Sequence, residues 1–438
     1  MRHIQTRSGV SRESGIVILM VAVVLLFVVG AMAALAIDVV SLYTARSEAQ
    51  LAADGAALAG ARVLANSGMT SNPTDGTLAL SAEALATTVA TQVATSDQVG
   101  GRNLLSGEVL VTFDVTDATN PRVTVKTGRT DLPTFFARIW GNSALVVAAS
   151  ATAEAYNPSG AATPPLSGPI TPVAPTCVKP WVLPNIDPTL GSPNRIFDPT
   201  TGAIQNSALL AWDGATPPTR MWARCQNCTI GSPIPSLWRY YAGAPADFTA
   251  PSASSVACAG SAGFTAYQLS VAGCVQTPIA CNSTVSIDMS DYANRDEETT
   301  DSVNCLTHST AVANNGDSID TVSLPSPPFQ FLAGADNPVV QAGAVAAGTD
   351  ILVSNSLVTV PVYDSTGAAP TGTNPVTIIG FVQLFLNPDG LGVPNIGPDT
   401  DHIRTRIINL AGCGTGATGQ PILGNGASAV PVRLVTPP

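Results

Sequence analysis

The sequence predicts an α+β protein: a long N-terminal transmembrane helix extended into an α+β module, followed by a disulfide-braced, mostly β C-terminal domain. Three observations predict it. Residues Gly15 to Ile37 (GIVILMVAVVLLFVVGAMAALAI) are 23 consecutive residues without a charge. An alanine-rich stretch without proline continues to about Asn66. All eight cysteines, Cys177, Cys225, Cys228, Cys258, Cys274, Cys281, Cys305 and Cys413, lie in the second part of the chain, where short apolar runs alternate with Gly, Pro, Ser, Thr and Asn.

At a rise of about 1.5 Å per residue the uncharged run reaches roughly 35 Å, enough to cross a hydrocarbon core of about 30 Å. Arg2, Arg7 and Arg12 precede it and Asp38 follows it. The positive excess therefore assigns residues 1–14 to the cytoplasm and the remainder to the opposite side. A cleaved signal peptide is the competing expectation, because Ala31-Met32-Ala33 and Ala34-Leu35-Ala36 have the small-x-small form of a cleavage site. A retained signal-anchor is the preferred reading, since the run exceeds the roughly 7–15 residues of a signal core and helix-forming sequence carries on past it.

From Asp38 to Asn66 the chain extends the membrane helix outward. Ala49, Ala53, Ala57 and Ala61 recur every fourth residue, as do Ala52, Ala56 and Gly60, giving two adjacent small-residue stripes. Such stripes admit a second backbone at close range, either of the same chain or of another helix. A second helix is expected over Leu78 to Ala94, after the turn-like Asn72-Pro73-Thr74-Asp75-Gly76. Val109 to Val115 and Arg122 to Lys126 alternate apolar and polar residues and read as a hairpin, with Ala144 to Ala155 a third extended stretch. Leu132 to Gly141 reads as a short helical turn. Asn157 to Thr176 carries six prolines in twenty residues and reads as a linker. Helical periodicity then disappears, and Ile351 to Tyr363, Val376 to Leu386 and Ile403 to Leu410 read as strands. The expected divisions are 1–14, 15–37, 38–156, 157–176 and 177–438.

The chain carries a net charge of −11 and two lysines, Lys126 and Lys179, so nucleic-acid binding, which needs clustered Lys and Arg, is not expected. Eight cysteines on the exported side read as disulfides, with about 105 possible connectivities. Cys225-Gln-Asn-Cys228 has the form of half a zinc site or of a redox pair. No second CxxC accompanies it, and the histidines are His3, His308 and His402. Gly414-Thr415-Gly416-Ala417-Thr418-Gly419 matches GxGxxG, but no acidic residue follows, so it reads as a turn. Asp288-Met289-Ser290-Asp291-Tyr292 approaches a DxSxS metal motif with Tyr292 in place of the second serine. Asp296-Glu297-Glu298 with Asp301, and Asp389 with Asp399 and Asp401, read as solvated loop charge rather than Ca²⁺ ligands. No GxSxG elbow occurs. Catalysis, a cofactor and a bound metal are not expected.

The N-terminal pattern is the most specific in the chain: Glu13-Ser14-Gly15, the apolar run, Ile37-Asp38-Val39, Leu42-Tyr43-Thr44-Ala45-Arg46, then Leu51-Ala52-Ala53-Asp54-Gly55-Ala56-Ala57-Leu58-Ala59-Gly60-Ala61. It resembles the N-terminal region of the TadE/TadG-like proteins of tight-adherence (Flp) pilus systems, and the resemblance continues to about residue 155. Cys177 to Asn185 and Ile379-Gly380-Phe381 also resemble the longer TadG-like proteins. The resemblance implies a pilin-like module and a non-catalytic role in pilus assembly or surface attachment. It further implies a bacterial inner-membrane location with the C-terminal domain in the periplasm or at the cell surface, and other pilin-like or pilus-assembly proteins as partners. After Gly9, Glu13 falls at the fourth position rather than the fifth of a prepilin-type cleavage site. The metal motif of von Willebrand A domains, which some TadG-like proteins carry, is not formed here. An exported binding module merely tethered by the helix is the alternative.

Overall fold

The structure, a computed structural model, describes residues 12–134, 144–159, 171–210, 219–223, 237–256, 258, 260–288, 295–309, 315–320, 327–367, 375–394, 402–414, 421–424 and 428–436. Its contacts divide the chain into two compact units. One comprises Met1–Ala56, Thr91–Val111 and Val125–Ala151, the other Ala57–Ala90, Thr112–Thr124 and Thr152–Pro438.

Helix α1 is unbroken over the 55 residues Arg12–Asn66. It carries both the apolar run and its alanine-rich continuation, because neither contains a proline. Helix α2 (Gly76–Ser96) starts at Asp75, whose carboxylate accepts the N–H groups of Thr77 and Leu78 and so satisfies donors that have no partner within the helix. A tight hairpin pairs β1 (Gln98–Val99) with β2 (Arg102–Asn103). Its turn residues Gly100 and Gly101 have φ of +59° and +89°, angles that a Cβ disfavours. Strands β3 (Val109–Asp114), β4 (Arg122–Pro133) and β5 (Ala144–Ala155) follow. The expected second helix, hairpin and third extended stretch are therefore present, with β4 running on to Pro133. The helical turn expected at Leu132 to Gly141 lies mostly outside the described residues.

Further along come β6 (Val173–Pro175), β7 (Trp181–Pro184), β8 (Thr219–Ala223), β9 (Leu237–Ala242) and helix α3 (Ala266–Ala272). Next are β10 (Thr284–Val285), helix α4 (Arg295–Thr307), β11 (Ser318–Ile319), β12 (Phe331–Leu332) and β13 (Asp350–Ile351). The chain ends with β14 (Leu357–Tyr363), β15 (Val376–Leu386), β16 (Ile403–Gly412), β17 (Ile422–Gly424) and β18 (Val432–Val435). A four-stranded sheet has the order β18-β5-β4-β3. Within the span expected as a linker, β6 pairs in parallel with β17.

The larger unit is organised by a sheet of order β10-β15-β14-β7-β9-β8-β16 in which β15 also pairs with β16. Six strands, β15-β14-β7-β9-β8-β16, thus close into a ring. Closure of this kind removes free sheet edges. Alternate residues such as Trp181 and Leu183, Val358, Val360 and Val362, and Val382, Leu384 and Leu386 form one buried cluster, which α3 and α4 join through Tyr267, Val271, Val303 and Leu306. The intervening Leu357, Phe385 and Ile408 join Ile319, Phe329 and Phe331 in a second cluster. Both faces of β14 are buried, and every one of its residues is inaccessible, which is why its sequence shows no clean apolar–polar alternation.

Two expectations change here. Ile351 to Tyr363 is not one strand: the Ser354 hydroxyl accepts the Ser356 N–H and donates to Asp317, so local side-chain bonding turns the chain between β13 and β14. The acidic segment Asp296-Glu297-Glu298 with Asp301 is helix α4 rather than loop. Its buried side consists of Thr299, Thr300, Ser302, Val303 and Leu306, a stripe too poor in large apolar residues to announce a helix.

Three disulfides brace this unit: Cys177–Cys274, Cys258–Cys305 and Cys281–Cys413. Cys225 and Cys228 lie outside the described residues. The last turn of α1 is held to the barrel by buried amides. Asn409 donates from Nδ2 to the Ala65 carbonyl at 2.5 Å and to Thr70 Oγ1 at 3.1 Å, while its Oδ1 accepts from the Ser71 hydroxyl. Asn157 Nδ2 donates to the carbonyls of Leu410 and Thr70, and Gln383 Nε2 donates to Asn66 Oδ1 at 3.0 Å. Lys179 is also buried, its Nζ donating to the carbonyls of Val271 and Gly273, each at 2.7 Å, at the end of α3. Desolvation pushes its pKa down to about 7.

Two predictions follow from these contacts. Asn409→Ala removes the donor to the Ala65 carbonyl and is expected to cost about 2–4 kcal/mol, measured by denaturant unfolding of the detergent-solubilised chain. Lys179 loses its proton near pH 7 when folded but only near its ordinary value of 10.5 when unfolded. Between those values the unfolded state holds the extra proton, so stability rises with pH at up to about 1.4 kcal/mol per unit. Lys179→Met should flatten that slope between pH 7 and 9.

Candidate functional site

The first half of α1 leaves large apolar side chains in the open on every side. Ile16 through Val21 and Val23 through Val29 are each about half or more exposed, with Phe27 at 76%. This is the one helix among the described residues long and apolar enough to cross a membrane. Cover begins abruptly at Ala34, 6% exposed, and Asp38, 5% exposed. It continues along one face through Leu42, Ala45, Ala49 and Ala52, at spacings of three and four residues that keep them on a single stripe.

Ala45, Ala49 and Ala52 form a buried cluster with Val99, Leu104, Leu132 and Val147, with Leu42, Val109, Leu145 and Ala149 packed against it. The small side chains let backbone come close: Thr127 Oγ1 donates to the Ala49 carbonyl at 3.0 Å. The β1–β2 turn is pinned to the same helix, because the Gly100 N–H donates to the Glu48 carboxylate at 2.7 Å. Arg129, buried, holds that turn from the other side by donating to the carbonyls of Val99 and Gly100 and to Asp131. Arg102 spans Glu108 at 2.6 Å and Asp131 at 2.7 Å. Hydrogen bonding from Arg102, then from Arg129, draws the Asp131 carboxyl down to about 2. That from Arg102 lowers Glu108 as well. Beside this clamp lies a cavity of about 340 Å³ lined by Asp38, Ser41, Leu42, Glu48, Gly100, Gly101, Leu132 and Leu145.

Every residue of the small-residue stripes is inaccessible: Ala49 is 1% exposed, and Ala52, Ala53, Ala56, Ala57 and Ala61 are fully covered. Gly60 is buried too, and a Cβ there would meet Val123 at 3.3 Å and Ala90 at 3.5 Å. The stripes are thus covered by this chain's own fold, whereas Tyr43 and Leu51 on the same helix are 70% and 71% exposed. The burial of Asp38, and the roles of Glu48 and Arg129, are not legible in the sequence. Asp38 stands out there only as the first charge after the apolar run.

Met289 to Tyr292, Asp399, Asp401 and Thr415 to Gly419 lie outside the described residues, and Asp389 pairs with Arg404. Among the described residues no three His, Cys, Asp or Glu stand together in a way that could hold a metal ion.

Ala49→Leu forces three extra side-chain heavy atoms into the covered stripe and should destabilise the chain by about 1–3 kcal/mol. Leu51→Ser, two positions on and exposed, should leave the unfolding midpoint within about 0.5 kcal/mol of the parent. Equal effects of the two in thermal unfolding would contradict the packing described.

No curated protein and no solved structure matches this chain. The stretch that begins with the apolar run and ends in the covered part of α1, residues 15–63, matches the model of a family described as putative Flp pilus-assembly TadE/G-like, the same N-terminal region whose motifs carry the resemblance.

Proposed function

We propose that this chain is a non-catalytic, membrane-anchored component of Flp/Tad-type pilus assembly or surface attachment. One observation carries the reading: the family-matched residues 15–63 coincide with a helix whose first half is apolar and exposed and whose second half is covered by folded chain. A surface of that kind in the first half is costly in water and favourable in lipid. In this reading the helix is a single-pass inner-membrane anchor with residues 1–14 in the cytoplasm. The disulfide-braced barrel lies on the periplasmic or outer side, where three disulfides persist. Other pilin-like or pilus-assembly proteins meet α1 along Tyr43 and Leu51.

A photo-crosslinking residue at Leu51, in the native host, is expected to trap a second envelope protein, whereas the same residue at the covered Ala52 traps none. Carbonate extraction should leave the chain in the membrane pellet with its apolar run intact. Release into the soluble fraction with a new N-terminus at Ala34 or Ile37 would overturn the anchor, and with it this role.

A further inference from the structure

We propose that copies of this chain join edge to edge, β5 of one copy pairing with β3 of the next. This goes beyond the assembly reading by naming a partner, a second copy, and rests on it only for the membrane that the copies share.

The four-stranded sheet has two open edges. Strand β18 pairs with β5 only over Thr152–Ala155, so among the described residues no strand lies beside Ala144–Ala151 on that side. At the other end of the order β18-β5-β4-β3, β3 has β4 as its sole strand neighbour among the described residues. The direction of the free groups on β5 follows from its bonds. Tyr156 donates its N–H to Pro431 on the β18 side, and Ala155 donates its N–H to Pro121 on the β4 side. Edge direction alternates along a strand. Val146, Ala148 and Ser150 therefore aim their N–H and C=O groups at the open edge, while Val147 aims at β4. The Ser150 carbonyl already accepts from Gln50 Nε2 at 3.3 Å, which leaves Val146 and Ala148 as the pairing positions.

Natural edges are usually blunted by lysine, proline, charge or a bulge. The open part of β5 reads Leu145-Val146-Val147-Ala148-Ala149-Ser150-Ala151, with none of the first three. The exposed side chains match across the proposed seam. Val146 is 65% exposed on β5, and Leu110 is 56% exposed on β3. Pairing the two edges continues the sheet and covers both. The contact uses different patches on the two copies, so it is head-to-tail and can propagate beyond a dimer. Copies anchored through α1 in one membrane share an orientation and a high local concentration, which favours such a lateral contact.

The test uses the full chain in its own membranes, with two differently tagged copies. Copper-phenanthroline oxidation of a Leu110→Cys copy together with a Val146→Cys copy should give a mixed dimer, and neither copy alone should. No mixed dimer, or a dimer from Val146→Cys alone, would overturn the pairing. Hydrogen exchange supplies a second reading. The Val146 and Ala148 amides should be protected in the membrane and exchange at least tenfold faster in Val146→Lys. The Val147 amide, bonded towards β4, should stay protected in both and so reports that the sheet is intact. Fast exchange at Val146 and Ala148 in the unsubstituted chain would refute the proposal.

Discussion

A buried carboxamide is the constraint on which the larger unit depends. Helix α1 stops at Asn66 with carbonyl groups that its own hydrogen-bond ladder cannot satisfy. Asn409, on a barrel strand, supplies a donor to the Ala65 carbonyl, and Asn157 and Gln383 complete the connection. Asn157, Gln383 and Asn409 are fully inaccessible, so no water can replace their bonds. An apolar residue of similar size at position 409 would pack but would leave the helix end unsatisfied, a larger loss than the packing recovers. The helix end, the turn at Met69–Ser71 and the strand register of β16 are therefore fixed together.

The smaller unit solves a different problem with small side chains and charge. Alanines at Ala45, Ala49 and Ala52 bring the β1–β2 turn and β4 close to the helix, and the turn is kept there by Glu48, Arg129 and Arg102. These are specific contacts between groups that are individually common on protein surfaces. Their value lies in geometry: Gly100 can approach Glu48 because it has no side chain on the crowded side, where a Cβ would collide with Leu132.

Local elements were legible in the sequence where periodicity is strong. The unbroken helix to Asn66, α2, the β3–β4 hairpin and β5 follow from spacing and from the absence of proline, and β15 and β16 from dense β-branched and aromatic runs. The ring closure was not legible. β7, β8 and β9 are short, and the ring is closed by pairings such as β7 with β14 and β8 with β16 that join distant parts of the sequence, so no local pattern marks them. α4 escaped because threonine and serine make up much of its buried side. Cysteine pairing was out of reach for the reason that eight thiols have many partners. Of the membrane-proximal region, the apolar span and the small-residue stripes were visible. The polar clamp around Gly100 was not, since Glu48, Arg102 and Arg129 are ordinary surface residues until the fold brings them together.

The amide contact at Asn409 also orders events in time. Synthesis delivers α1 first, yet the group that satisfies its last turn arrives 344 residues after Ala65, on the strand that also closes the ring and carries the chain to Cys413. Until that strand emerges, the barrel has an open side and the helix end lacks the Asn409 donor. A long-range dependence of this kind makes completion of the larger unit slow. The larger unit is therefore completed only when the segment that carries Asn409 has been delivered.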